Sequence, residues 1–337
     1  MTSFRFLHSS LAKQIFQFVN WKRSSGHTYK TEVWVLSDLD KFIFENYPNT
    51  ETLTREIALR WSEKRSHENE ANRKRRICVV RQFSKFLQEN GCDAWVIPTR
   101  FIPHIKKYVP YIFSASELRA MIEYIDSMPL CSNFPIRNKI YPLFFRLLIC
   151  CGMRLGEAIN LKISDIDIKS NVIKIRHSKN GKQRLVPFNS YLAHHIKEYF
   201  NSCCLQRSAE DFLFSYSNGE RSISVYPPHS IFQEALSYAH IKHQEPNHSP
   251  RIHDFRHTFV VIRLKLWIGK GVDLSSKLPF LWHYLGHKSF YEMSYYFHLV
   301  SEMWPGIINK AEERCPNLIP AIDFDLQESP EKEYYED

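Results

Sequence analysis

Four short islands of the sequence gather arginine, histidine, lysine and tyrosine. They are Gly152-Met153-Arg154-Leu155-Gly156-Glu157, Ser178-Lys179-Asn180-Gly181-Lys182, His253-Asp254-Phe255-Arg256-His257, and Leu285-Gly286-His287 followed by Tyr295-Tyr296-Phe297-His298. Taken singly, each has a plain explanation. Arg154 and Glu157 suit an i,i+3 surface ion pair, Lys179 a solvated turn, and Tyr295 and Tyr296 helix-core aromatics. Taken together, they hold the types needed to cut a phosphodiester without metal. Tyrosine can attack phosphorus, arginines can neutralise the non-bridging oxygens, and lysine or histidine can supply a proton to the leaving oxygen.

Other chemistries fit less well. His253 and His257 stand at the i,i+4 spacing of a zinc helix, but Asp254 sits where HExxH requires Glu, and Arg256 would set a cation beside the metal. No GxSxG elbow supports a serine hydrolase. The 10 glycines form neither GxxxxGK[ST] nor GxGxxG, so no nucleotide or dinucleotide cofactor is expected.

The elements that must position these residues follow from pattern. The 337 residues suggest two domains or three, and 44% hydrophobic with 24% charged residues fits a globular chain. Residues 1–96 read as helical, with amphipathic runs over Leu11–Trp21 and Val33–Phe44 and a third, capped by Thr52 or Thr54, through Trp61. A fourth run, Asn72–Asn90, places Ile77, Val80, Phe83 and Leu87 on one stripe and Arg73, Lys74, Arg75, Arg76, Arg81 and Lys85 on the other faces, ahead of Gly91. Such a helix can bury one side and offer the other to phosphates. Residues 97–113, with three prolines and Lys106-Lys107, read as an extended linker. Ser114 and Glu117 form a capping box that opens a second unit, 114–311. Helices follow over Tyr141–Cys151 and after Arg154. The period then switches to strand alternation over Asn171–Ser178 and Lys182–Phe188, joined by Asn180-Gly181, a strong hairpin signal. The remainder reads as helical to about Lys310. The fold class expected is mainly α with a small β-hairpin in the second domain.

Charge sharpens the partner. The net charge is +9, yet the 26 residues from Glu312 onward carry nine acidic and two basic groups, so the chain before them carries +16. Two basic units and an acidic tail suggest a polyanion partner. Eight cysteines without a CxxC read as reduced thiols of a cytosolic protein. The longest apolar stretch, near Leu143–Met153, is broken by Arg146 and is too short to span a membrane.

The order Arg154-x-x-Glu157, Lys179 in a hairpin, His253-x-x-Arg256-His257, Leu285-Gly286-His287 and Tyr296 nine residues on resembles the tyrosine recombinases, the phage-integrase family. The match runs from about Ser114 to Lys310. The segment Phe4–Asp40, with Leu11-Ala12, Lys22-Arg23, Gly26 and Tyr29, looks like the start of integrases encoded by bacterial mobile elements, an integrase/transposase-like subgroup. The resemblance implies a two-domain DNA clamp, with an all-α SAM-like core-binding domain and an α+β catalytic domain. It implies a site-specific recombinase that works through a 3′-phosphotyrosyl intermediate, with no metal, no nucleotide and no other cofactor. Tyr296 would be the nucleophile, with Tyr295 the competing residue. Arg154 and Arg256 would clamp the phosphate, and Lys179 would act as general acid. His253 would move a proton on the nucleophile side, and His287 would donate to the phosphate. Glu157 and Asp165 would orient Arg154 and the turn after it.

Double-stranded DNA would be held by Arg73, Lys74, Arg75, Arg76, Arg81, Lys85, Lys106, Lys107, Lys182 and Arg184. A homotetramer on two synapsed sites is implied, with sister recombinases or accessory factors as further partners, in the bacterial cytoplasm at the nucleoid. The tail, 312–337, reads either as a docking segment over Ile319–Leu326 or as a solubilising extension. Two rivals stand beside this reading. One is a type IB topoisomerase-like enzyme, which would relax supercoils as a monomer. The other is a DNA-binding architectural protein that merely keeps the fold.

Overall fold

The computed structural model describes residues 7–105, 108–132, 134–176, 183–217, 219–241, 249–286 and Tyr296. The chain divides into two units, 1–107 and 108–337.

In the first unit the amphipathic runs become α1 (Ala12–Ser24), α2 (Thr31–Asn46), α3 (Arg55–Ser62) and α4 (Glu70–Glu89). Of the two candidate caps for α3 it is Thr54 that acts, its hydroxyl accepting from the Ile57 N–H. The fourth helix starts earlier than its apolar stripe, because Asn69 caps it by accepting from the Asn72 N–H at 2.8 Å. The stripe Ile77, Val80, Phe83 and Leu87 lies fully inside the core, against Phe18, Leu36 and Ile57. Burial of this face is what fixes α4, since most helix stability in a protein comes from packing.

In the second unit the Ser114–Glu117 capping box is present and opens α5 (Ala115–Asp126). The chain continues through α6 (Arg137–Cys151) and α7 (Leu155–Ile159) into a three-stranded antiparallel sheet. The sheet runs β1 (Ile166–Asp167), β2 (Val172–Ile175) and β3 (Arg184–Pro187) in chain order. The expected hairpin pairing is observed, with Ile173 opposite Val186 and Ile175 opposite Arg184. Among the described residues four helices follow: α8 (Ser190–Cys203), α9 (Tyr226–Tyr238), α10 (Asp254–Gly269) and α11 (Leu274–Leu285). Leu274, Leu278, Leu281 and Leu285 recur at helical spacing and bury α11 against Phe259, Val260, Val261 and Leu264 of α10.

The proline-rich stretch 97–113 is not uniformly a linker. Its first residue, Ile97, is buried in the first core. Its last residues are pinned to α10: Tyr108 donates to the Ser249 carbonyl and to Asp254, the Phe113 N–H donates to Thr258 Oγ1, and the Phe113 ring lies 5.0 Å from Phe255.

Candidate active site

The site begins where α6 stops. Gly152 ends that helix in the left-handed region (φ +58), and a Cβ built there would lie 2.7 Å from Phe259 Cδ1 on α10. Only glycine lets the chain turn that tightly against α10 and then present Arg154 as the first residue of the next turn. From α10, Arg256 reaches back across this turn. It is 2% exposed, and its guanidinium donates to the Gly152 carbonyl at 2.9 Å and to the Leu285 carbonyl. Arg154 reaches the neighbouring Gly286 carbonyl at 3.5 Å. The two arginines, distant in sequence, therefore converge on the last residue of α11 and the glycine after it, the first two residues of the Leu-Gly-His island.

Glu157 sits beneath them, buried, and it holds more than the expected Arg154. It accepts from the Arg154 N–H at 3.0 Å and the Arg154 guanidinium at 3.1 Å. It also accepts a bidentate pair from Arg184 at 2.7 and 2.6 Å. Burial alone would raise its pKa. The hydrogen bonds and charge of Arg184, then the charge of Arg256 and the Arg154 N–H, outweigh that and draw it down to about 2. The pKa of Arg256 is lowered too, but for a cation this disfavours the charged form. Burial, then the charge of Arg154, push it down to about 10, which leaves it charged at neutral pH. Three guanidinium groups thus gather round one carboxylate.

One face of α10 carries the rest. The His253 and His257 rings stand 5.0 Å apart, and the His257 ring lies 5.4 Å from that of Tyr296. Tyr296 is 3% exposed and near enough to Arg256 that its phenolate form would raise the guanidinium's pKa. Lys179, His287 and the competing Tyr295 lie outside the described residues, as do Lys106, Lys107 and Lys182.

Two of the residues expected on DNA are placed elsewhere. Arg76 is buried. It makes a fork to Glu68 at 2.9 Å through two nitrogens, donates to the Trp61 and Glu63 carbonyls, and stacks on the Trp61 ring. A guanidinium with its donors so taken faces the core. Arg184 is likewise enclosed, its side chain 8% exposed and committed to Glu157 and the Tyr284 carbonyl. Lys74 and Arg75 are exposed, and Lys85 is half-buried. Arg73 donates to the Ser62 carbonyl, and Arg81 to the Ile97 carbonyl. Sequence reasoning misses the structural role of Arg184. Its one signal is its place opposite Ile175, a residue that faces the core.

Among the described residues no group of three or more His, Cys, Asp or Glu side chains is arranged to hold a metal, and no helix is long and apolar enough to cross a membrane.

Residues 112–303 match the model of the phage integrase family. Over 311 residues the chain is 27% identical to a putative integrase/recombinase of Sinorhizobium fredii, covering 91% of this chain and 98% of that protein. It is 29% identical over 238 residues to the tyrosine recombinase XerC of Bacillus subtilis, covering 68% and 70%. Its fold is similar to that of the Tn1549 transposon integrase in complex with circular intermediate DNA (TM-score 0.59, 14% identity, 84% and 94% covered).

Proposed function

Because the chain belongs to the phage integrase family and is a tyrosine-type site-specific recombinase, we propose that it cuts and rejoins double-stranded DNA through a covalent 3′-phosphotyrosyl intermediate, in the service of a mobile element. The observation that carries this reading is the convergence of Arg154 and Arg256 on the turn before His287, with Tyr296 packed beside them. That arrangement leaves positive charge in excess where a diester would sit. The Tyr296 oxygen attacks phosphorus, the P–O5′ bond breaks, and the phosphate stays on the tyrosine as an ester. The phenol proton leaves toward His253, and Lys179 protonates the departing 5′-oxygen. Arg154, Arg256 and His287 neutralise the non-bridging oxygens of the phosphorane, and donors of this type contribute on the order of 3–4 kcal/mol each. Because the ester preserves the bond, attack by a 5′-hydroxyl can reverse the step on a different strand. That is strand exchange.

Residues 1–96 would bind one side of the DNA site, with Lys74 and Arg75 the exposed cations of α4, while 114–311 hold the scissile phosphate. Two duplexes require four protomers. The tail from Glu312 would either seat on a neighbouring protomer or stay free, and removing the residues after Lys310 separates these cases by whether synapsis is lost. The relative named as a putative integrase/recombinase supports the mobile-element setting, and a cytoplasmic enzyme working on the nucleoid goes with that reading.

The test uses nicked suicide duplexes cut from the DNA flanking the gene. Wild type and Tyr295→Phe should form a covalent protein–DNA adduct, and Tyr296→Phe should form none. An adduct with Tyr296→Phe and none with Tyr295→Phe would reverse the assignment. No adduct with any protein, despite tight binding, would favour a silent DNA-binding protein.

A further inference from the structure

We infer that Arg184 is a positioning residue for the reaction rather than a DNA contact, acting through Glu157 on Arg154 and through Tyr284 on the turn that precedes His287. This rests on the reading above that Arg154 and Arg256 hold the scissile phosphate.

The three nitrogens of Arg184 that make hydrogen bonds are all engaged inside the protein. Nε donates to the Tyr284 carbonyl at 2.7 Å, and the two terminal nitrogens make the fork to Glu157. Planar forks of this kind fix direction as well as distance. With Arg154 added, the two oxygens of Glu157 accept four hydrogen bonds, which fills their lone pairs. Arg154 is thereby held by a carboxylate that Arg184 holds in turn.

The second contact reaches the end of α11. The carbonyls of Tyr284, Leu285 and Gly286 each accept from a different arginine, respectively Arg184, Arg256 and Arg154. A helix C-terminus leaves its last carbonyls without partners and carries partial negative charge. Three guanidinium groups satisfy both needs. They also fix the direction in which the chain leaves the helix toward His287. Gly286 supplies an independent sign of this closeness. It has φ +66, and a Cβ built there would lie 3.4 Å from Cδ and Nη1 of Arg184. The turn is thus laid directly on the Arg184 side chain. Because Arg184 opens β3, one residue links that strand, the Arg154 clamp and the turn at Gly286.

The experiment compares Arg184→Gln, Arg184→Lys, Glu157→Met, Arg184→Met and the double variant Glu157→Met/Arg184→Met with wild type on one nicked duplex. Binding is measured across salt, and adduct formation at saturating protein. We expect Arg184→Gln to leave affinity and its salt slope within error of wild type and to slow adduct formation by about 10²-fold, the scale of a small misplacement at a reacting centre. Arg184→Lys, which keeps the charge and loses the fork, should recover less than half of that loss on a logarithmic scale. The double variant removes both members of the buried fork, so that neither Glu157 nor Arg184 is left buried without the other. It should be no slower than the slower of Glu157→Met and Arg184→Met alone. Uniformly weaker binding, with the salt slope reduced by about one and cleavage at saturation unchanged, would make Arg184 a phosphate contact. Multiplicative losses in the double variant would likewise overturn a path through Glu157. Absence of adduct with wild type sinks the recombinase reading. A normal wild type with an unaffected Arg184→Gln sinks this inference alone.

Discussion

Replacing Glu157 by Gln removes the charge at the centre of the arginine cluster and keeps the side chain's shape. The carboxyl's pKa falls from an ordinary 4.5 to about 2 in the folded protein, and a fall of that size corresponds to roughly 3 kcal/mol of stability at neutral pH. The group is depressed on folding. Its contribution is therefore complete above the unfolded value near 4.5 and is lost as pH drops through the folded value near 2. By pH 3 about 2 kcal/mol of the 3 should be gone. Glutamine resembles the protonated acid, and its amide also turns a donor toward the guanidinium of Arg184. Urea unfolding of the full chain, followed by tryptophan fluorescence at pH 7, 5, 4 and 3, gives both proteins' stabilities. The expected result is a gap of roughly 3 kcal/mol or more at pH 7 that narrows steadily below pH 5. A gap of the same width at pH 3 as at pH 7 would show that Glu157 is not held as a carboxylate, and the reasoning about the cluster would fail with it.

Three further outcomes follow from packing, pairing and exposure. Gly152→Ala should lower stability by about 2–4 kcal/mol, combining the left-handed backbone cost with overpacking against Phe259, and should slow adduct formation because Arg256 is anchored on the Gly152 carbonyl; an unchanged urea midpoint would refute it. Arg76→Met should cost about 3–5 kcal/mol by stranding Glu68 while leaving the salt slope of DNA binding alone, whereas Lys74→Gln with Arg75→Gln should leave the urea midpoint alone and make the slope shallower by about one for each phosphate no longer neutralised.

Local patterns are the legible part. The capping box at Ser114 and Glu117 and the α4 stripe at Ile77, Val80, Phe83 and Leu87 need only neighbours in sequence, and both are present in the fold. The antiparallel pairing of β2 with β3 follows from alternation and likewise appears. The strand β1 leaves no such mark, since two residues are too few for a period. The start of α4 reads late in the sequence because its stripe, from Ile77, begins about two turns after its cap, Asn69. The i,i+3 relation of Arg154 and Glu157 is visible in the sequence, but not that the same carboxylate also holds Arg184 from 27 residues away.

Arginine is where sequence reading meets its physical limit. Arg75 and Arg76 are adjacent in one basic run, yet one is exposed and the other buried against Glu68. Composition cannot separate them, because the deciding fact is whether the fold delivers a carboxylate to the guanidinium. Where it does so one for one, as for Arg76 with Glu68 and Arg146 with Asp126, the charge is neutralised internally and the arginine serves the structure. The active-site cluster departs from that balance. Arg154 and Arg184 both hydrogen-bond to Glu157, whose charge also reaches Arg256, and among the described residues the hydrogen bonds of Arg256 go to the Gly152 and Leu285 carbonyls. Burying an uncompensated guanidinium is unfavourable by several kcal/mol in general, and that penalty lowers the pKa of Arg256. On the function proposed above, the anion that balances this positive charge is a diester that gains negative charge as tyrosine attacks.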